Sequence, residues 1–257
     1  MQDLKVSLIQ TIQFWEDKTK NLRHFENHLA NISEDTDLII LPEMFHTSFS
    51  MHSEKLAETM DGEGIAWLKK QAKNHKAAIV ASLIITEDKK YFNRMVFVEP
   101  TGKIHTYDKI KLFGLAKENN HYSPGTQKTI VEYKGWKIIL QVCYDLRFPE
   151  LVRNKVNAEG ESDYDISIYV ANWPKMRNVH WKSLLQARAI ENQSFVLAVN
   201  RVGSDDNGLD YSGDSSVINA LGEILAQHSD EEVIIEKVLS RKDLKTTREK
   251  LPFLRDR

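Results

Sequence analysis

Residues 95–107, MVFVEPTGKIHTY, and residues 215–227, SSVINALGEILAQ, are each a pair of short apolar runs joined by a turn, Pro100-Thr101-Gly102 in the first and Gly222 in the second. Such runs flanking a Gly-containing turn read as antiparallel hairpins. Upstream of the first hairpin, Leu4–Ile9, Asp37–Leu41 (DLIIL) and Ala77–Ile85 are buried-strand patterns. Between them Leu22, Phe25, Leu29 and Ile32 recur at helical spacing, as do Ile65, Leu68 and Ala72 within Asp61–Lys76. The first half therefore reads β-α-β-α-β-β-β. From Trp136 the order returns: a strand to Val142, a helix after Pro149, strand Ile166–Ala171, helix Val179–Asn192, strand Phe195–Val199, then the second hairpin. Each half alone would carry helices on one sheet face and leave the other face bare and apolar. Packing the bare faces together buries both and predicts an α/β fold of four layers, an α-β-β-α sandwich of two mixed sheets. A doubly wound three-layer sheet shares the element order, and the two hairpins decide against it.

The 257 residues carry 35 Lys+Arg against 37 Asp+Glu and one cysteine. They are expected to form a single domain, 1–257, with a tail from about 241 holding seven Lys/Arg against three Asp/Glu, in which Leu251, Phe253 and Leu254 are the residues able to dock. A net charge of −2 lacks the basic excess that nucleic-acid or anionic-membrane binding requires. A single cysteine excludes an intramolecular disulfide and a thiolate metal cluster. MQDLKVSLIQ has no basic segment followed by an apolar stretch, and no apolar run is long enough to cross a bilayer. The expected location is cytoplasmic, with neither nucleic acid nor membrane as partner.

Ligand sites in open α/β sheets lie beyond the carboxyl ends of strands. Three such ends carry chemistry: Glu43 after DLIIL, Cys143 after KIILQV, and Asn172-Trp173 after DISIYVA. A lone cysteine at a strand end is often a small buried residue, but a strand-to-helix junction offers backbone N–H groups that would lower a thiol pKa. A carboxylate in LPEMF is costly unless paired or functional. Lys109 and Lys111 of TYDKIKLF alternate onto one strand face. Carboxylate, ammonium and thiol together make an amide-cleaving set. His24 and His28 have i,i+4 metal-ligand spacing, yet without an implied acidic third ligand the expectation is a solvated helix face and no metal site. His46, His121 and His180 fall in loops and would have to supply the base of a cysteine protease. Gly62-x-Gly64 is too weak to imply phosphate binding.

LPEMF, YDKIKLF and VCYDLRFPE occur in the order of the Glu, Lys and Cys motifs of the nitrilase superfamily of carbon–nitrogen hydrolases, which the chain resembles from about Leu4 to Gln227, most closely the bacterial omega-amidase branch. NLRHF, YVANWP, HWKSLLQARAIENQ and NRVGSDDNG add to that likeness. The resemblance implies the four-layer sandwich, a homodimer or larger homo-oligomer, and a triad of Glu43, Lys109 and Cys143. It also implies a second carboxylate at Glu118, in KENNHYSPG, holding the lysine or a water. Lys109 is preferred to Lys111 because it follows Tyr107-Asp108 as the family lysine follows its Tyr-Arg pair. The Cys143 thioester route would use Glu43 as base and Lys109 with the Tyr144 N–H as oxyanion donors. The substrate implied is a small ω-monoamide of a 2-oxo dicarboxylate, 2-oxoglutaramate or 2-oxosuccinamate, its far carboxylate held by Arg147, with Phe45, Tyr144 and Trp173 as pocket walls. The structural alternative for Arg147 is an ion pair with Asp145 or Glu150. No metal or organic cofactor is implied. Competing readings are an N-carbamoyl amino acid or deaminated-peptide amidase, and a non-catalytic redox or interaction protein on the same fold.

Overall fold

The computed structural model describes residues 2–256. Its first half contains β1 (Leu4–Gln10), α1 (Lys18–Leu29), β2 (Leu38–Ile40), α2 (Ser53–Leu56), α3 (Glu63–His75), β3 (Ala78–Glu87), β4 (Lys90–Val98) and β5 (Ile104–Asp108). Then follow β6 (Ile130–Tyr133), β7 (Trp136–Val142), β8 (Ile166–Ala171), α4 (Asn178–Asn192), β9 (Phe195–Asn200), β10 (Val202–Ser204), β11 (Asp210–Ile218), β12 (Ile224–Ser229), β13 (Val233–Leu239) and α5 (Arg241–Lys250). One sheet runs β13-β1-β2-β3-β4-β5; the other runs β10-β11-β9-β8-β7-β6, with β12 against β11. Both hairpins form, Val98 opposite Ile104 and Ile218 opposite Ile224.

Period-two alternation sorts each strand's side chains into layers. Leu38, Ile40, Val80 and Phe97 face Ile138, Leu140, Ile168 and Leu197 of the other sheet in one buried core. Ile39, Ile79, Ala81 and Val96 point the opposite way, onto Phe25 of α1 and Leu68 of α3. Tyr169, Val196 and Ala198 likewise meet Trp181 and Leu185 of α4. These are the four layers of the sandwich. Asp17 caps α1 by accepting the Lys20 N–H at 2.9 Å. At the start of α3 the two glycines make room for Glu58, whose Cβ would lie 2.6 Å from a Cβ at Gly62 and whose carboxylate accepts the Gly64 and Ile65 N–H groups. The anion at this helix N-terminus is the chain's own side chain.

One expectation changes and two features are added. No α-helix follows Pro149: residues Cys143–Arg147 and Pro149–Leu151 form isolated 3-10 turns. The stretch after Val152 is nearly all polar and has no helical apolar face, and Asn154 instead ties it to the Tyr164 and Asn192 carbonyls. A further strand, β13, pairs antiparallel with β1 from Leu4↔Leu239 to Gln10↔Val233, so the chain returns to its first sheet after completing the second. The basic tail is ordered, with Leu244 and Leu254 buried and Phe253 exposed. Arg248 of α5 donates to the Gln193 and Tyr164 carbonyls and pairs with Asp165 at 2.8 Å. No helix among the described residues is long and apolar enough to cross a membrane.

Candidate active site

The carboxyl ends of β2, β7 and β8 converge at one end of the sandwich. Glu43 follows β2, and its carboxylate is completely buried. Its Oε1 accepts from Asn93 Nδ2 at 2.7 Å and from Lys109 Nζ at 3.1 Å, while Oε2 accepts the Asn172 N–H at 2.8 Å. The Asn172 side chain also donates to the Glu43 carbonyl. Lys109 lies just past the end of β5, so it does not share a strand face with Lys111. Its ammonium turns inward between the two acidic groups, 2.9 Å from both oxygens of Glu118. Glu118, also fully buried, is fixed by the Phe113 N–H at 2.6 Å. Lys111 stays outside this cluster, with its ammonium 4.8 Å from the centre of the Phe148 ring.

Cys143 follows β7 directly, with φ at 44°, a left-handed conformation uncommon for a residue with a side chain. The turn is held by Asp145, which accepts the Val142 and Lys111 N–H groups and the Tyr107 hydroxyl at 2.8–3.0 Å. Burial raises the Asp145 pKa to about 6 against the pull of these donors. Cys143 keeps partial access to solvent at the floor of a cavity of about 550 Å³. Burial pushes its thiol well above the ordinary value, the Glu43 charge and hydrogen bond add to that, and Lys109 pulls the other way. The expected helix-terminus depression of the thiol is therefore absent, together with the helix. For Lys109, burial alone would lower the pKa, but the Glu118 and Glu43 carboxylates reverse this and the net shift is upward. A thiol that keeps its proton thus faces a carboxylate, beside an ammonium held charged.

Tyr144, Arg147, Asn172 and Trp173 line the cavity, joined by Phe49, Phe113 and Arg177. Arg147 forms no ion pair with Asp145 or Glu150 among the described residues. Its guanidinium lies 4.7 Å from the Trp173 ring centre, and Nη2 is 3.2 Å from His180 Nδ1. Phe45 is not a pocket wall. It is fully buried behind Glu43, packed on Phe25 and Trp67, because Met44 in left-handed conformation turns the next side chain into the helix layer. Phe49 takes the wall position, 5.1 Å from the Lys109 ammonium. His46 is sealed in the core against Glu58, and none of His46, His121 and His180 lines the cavity. Asn93, Asp145 and Arg177 are additions to the predicted set. The signals for them were Asn93, with Arg94, as polar residues inside the apolar run YFNRMVFV, and Asp145 as the acid two residues after the cysteine.

The carbon-nitrogen hydrolase family model matches residues 5–249. The chain is 44% identical to the omega-amidase YafV of Escherichia coli K12, covering 100% of this chain and 97% of that one. It is 35% identical to the 2-oxoglutaramate amidase of Bacillus subtilis, covering 93% and 91%. The crystal structure of XC1258 from Xanthomonas campestris, a CN-hydrolase superfamily protein with an arsenic adduct in its active site, superposes with a TM-score of 0.97 at 41% identity, over 99% of this chain and 97% of that one. A family match over nearly the whole chain, on a sandwich whose strand ends gather a carboxylate, an ammonium and a thiol, means that the chain belongs to the carbon-nitrogen hydrolase family of amide-hydrolysing enzymes.

Proposed function

We propose that this enzyme hydrolyses the ω-amide of small 2-oxo dicarboxylate monoamides, such as 2-oxoglutaramate and 2-oxosuccinamate, to the 2-oxo acid and ammonia through a thioester on Cys143. The reading rests on one juxtaposition: Cys143 at the floor of the cavity beside Glu43 and Lys109, and Arg147 and Arg177 on its wall. A substrate with an amide at one end and a carboxylate at the other matches that polarity, and a guanidinium binds a carboxylate through two parallel hydrogen bonds. The omega-amidase and 2-oxoglutaramate amidase relatives support it.

Glu43 takes the thiol proton as Cys143 Sγ attacks the amide carbon. Burial and the Glu43 charge push the thiol pKa up, so attack needs a base in contact with it, and Glu43 is placed to be that base. Lys109 and the Tyr144 N–H face the developing oxyanion, whose charge the buried ammonium stabilises in a region of low dielectric. As the C–N bond breaks, Glu43 returns the proton to the leaving nitrogen, and ammonia departs. Water then loses a proton to Glu43, adds to the thioester carbonyl, and expels the Cys143 sulfur, which recovers that proton. Glu118, Asn93 and Asn172 hold Lys109 and Glu43 and exchange no proton.

The test is purified enzyme with 2-oxoglutaramate, 2-oxosuccinamate, glutamine and an N-carbamoyl amino acid, assayed for ammonia, carbon dioxide and an acyl adduct on Cys143. Ammonia without carbon dioxide from the two 2-oxo amides, with the adduct on Cys143, is the expected result. Turnover confined to the carbamoyl compound would replace the substrate assignment and leave the family intact. Ammonia release by a Cys143→Ala protein would defeat the mechanism.

A further inference from the structure

His24 and His28 do not form the solvated helix face expected of them. They stand one turn apart on α1, and the turn before β13 lays Glu232 across them. His24 Nε2 is 3.1 Å and His28 Nε2 3.4 Å from the same carboxylate oxygen, Oε2, and the three atoms all lie within 4.8 Å of one another. Thr11 Oγ1, just past the end of β1, completes the group at 2.6 Å from His24 Nε2 and 2.8 Å from His28 Nε2, and it also contacts Glu232 Oε2.

The two separations between histidine nitrogen and Glu232 oxygen are those of a coordination shell. Nitrogen and oxygen ligands about 2.0–2.1 Å from a tetrahedral zinc ion stand about 3.3 Å from one another. Both Nε2 atoms reach the same Glu232 oxygen and the same Thr11 hydroxyl, with the two ring planes at 85°. The histidine side chains are 20% exposed and Glu232 39%, which leaves an ion a path from solvent. None of the four residues lines the Cys143 cavity.

We propose that His24, His28 and Glu232 bind a first-row divalent cation of the Zn²⁺ class in the place between them that the Thr11 hydroxyl fills, with water in the remaining position. Two imidazoles and one carboxylate suit Zn²⁺ or Co²⁺ and disfavour Mg²⁺ and Ca²⁺, which select oxygen donors. The ion would join α1, the end of β1 and the 230–232 turn. Asp230 of that turn pairs at 2.7 Å with Lys175, which lies between the cavity-lining Pro174 and Met176. The site is therefore a clasp beside the active site and takes no part in bond breaking.

The test is the full chain carrying Cys143→Ser, which removes the one thiol able to compete for metal, stripped with chelator and titrated with Zn²⁺ and Co²⁺. One equivalent of either ion should bind and raise the unfolding temperature, and bound Co²⁺ should show the visible absorption of a four- or five-coordinate site. Removing a partner that merely orients a metal ligand costs about 10- to 100-fold in affinity, so His24→Gln, His28→Gln and Glu232→Gln should each lose at least about 100-fold. Unfolding temperatures without metal show whether each variant folds. Zn²⁺ X-ray absorption on the parent counts imidazoles independently of any variant, and two are expected. No binding to the parent, undiminished binding in folded variants, or fewer than two imidazoles overturns the assignment and leaves an ordinary hydrogen-bonded cluster.

Discussion

At the scale of single residues, the site works by opposing charges around one thiol. Glu43 raises the Cys143 pKa and Lys109 lowers it, so the two neighbours have opposite signatures. In a Glu43→Gln enzyme the raised thiol pKa should move down, so the iodoacetamide alkylation profile shifts to lower pH even as amide turnover falls at least about 100-fold, the lower range for loss of a general base. An upward shift would mean that Glu43 does not face the thiol. In the proposed reading Arg147 holds the far carboxylate of the substrate and takes no part in bond breaking. A charge-assisted hydrogen bond is worth about 1.5–3 kcal/mol, so Arg147→Gln should raise KM for a 2-oxo dicarboxylate monoamide about 10- to 100-fold with little change in kcat. A substrate whose far carboxylate is replaced by its methyl ester should be indifferent to the substitution.

At the scale of elements, short connections aim these side chains. The chain leaves β5, turns Lys109 inward, and is fastened by the Gly125 N–H to the Lys109 carbonyl at 2.9 Å. A Cβ at Gly125 would lie 2.1 Å from the Asp108 carbonyl oxygen, which is backbone and has no room to move aside. Gly125→Ala should therefore displace the segment carrying Lys109. The expected cost is about 1–3 kcal/mol of stability, the range for overpacking, seen in denaturant melts, and a kcat loss larger than that destabilisation alone explains. A folded variant with unchanged kcat would show that the Gly125 contact does not position Lys109. Strands and hairpins were legible because apolar alternation and Gly turns are local signals. The connection after Cys143 was misread as a helix because its shape comes from Asp145 gathering donors from β5, β7 and the turn at Lys111, and two of these three lie more than thirty residues away along the chain.

For the whole molecule, the C-terminal segment closes both sheets. β13 zips onto β1, and α5 then crosses to the second sheet, where Arg248 and Arg241 share Asp165. Arg248→Met removes one partner of a largely buried pair while Arg241 remains, so the loss should be near the lower end of the usual range, about 3 kcal/mol. That corresponds to an unfolding temperature about 6–12 °C lower. Turnover by the folded enzyme should not change, since none of the Arg248 partners lines the cavity. A coupled loss of kcat would place the tail in communication with the site. The sequence by itself determined the layers of this protein, because side-chain alternation dictates which face of each strand must be covered. It also determined the motifs bearing Glu43, Lys109 and Cys143, because each sits at or just beyond the end of a strand read from local pattern. Tertiary structure alone decided the sign of the thiol's shift, the exclusion of Phe45 from the pocket, the return of β13 to the first sheet, and the meeting of His24 and His28 with Glu232. Each of those depends on residues far apart in the chain being brought within a few ångströms, where burial and charge act by distance in space rather than by order in sequence.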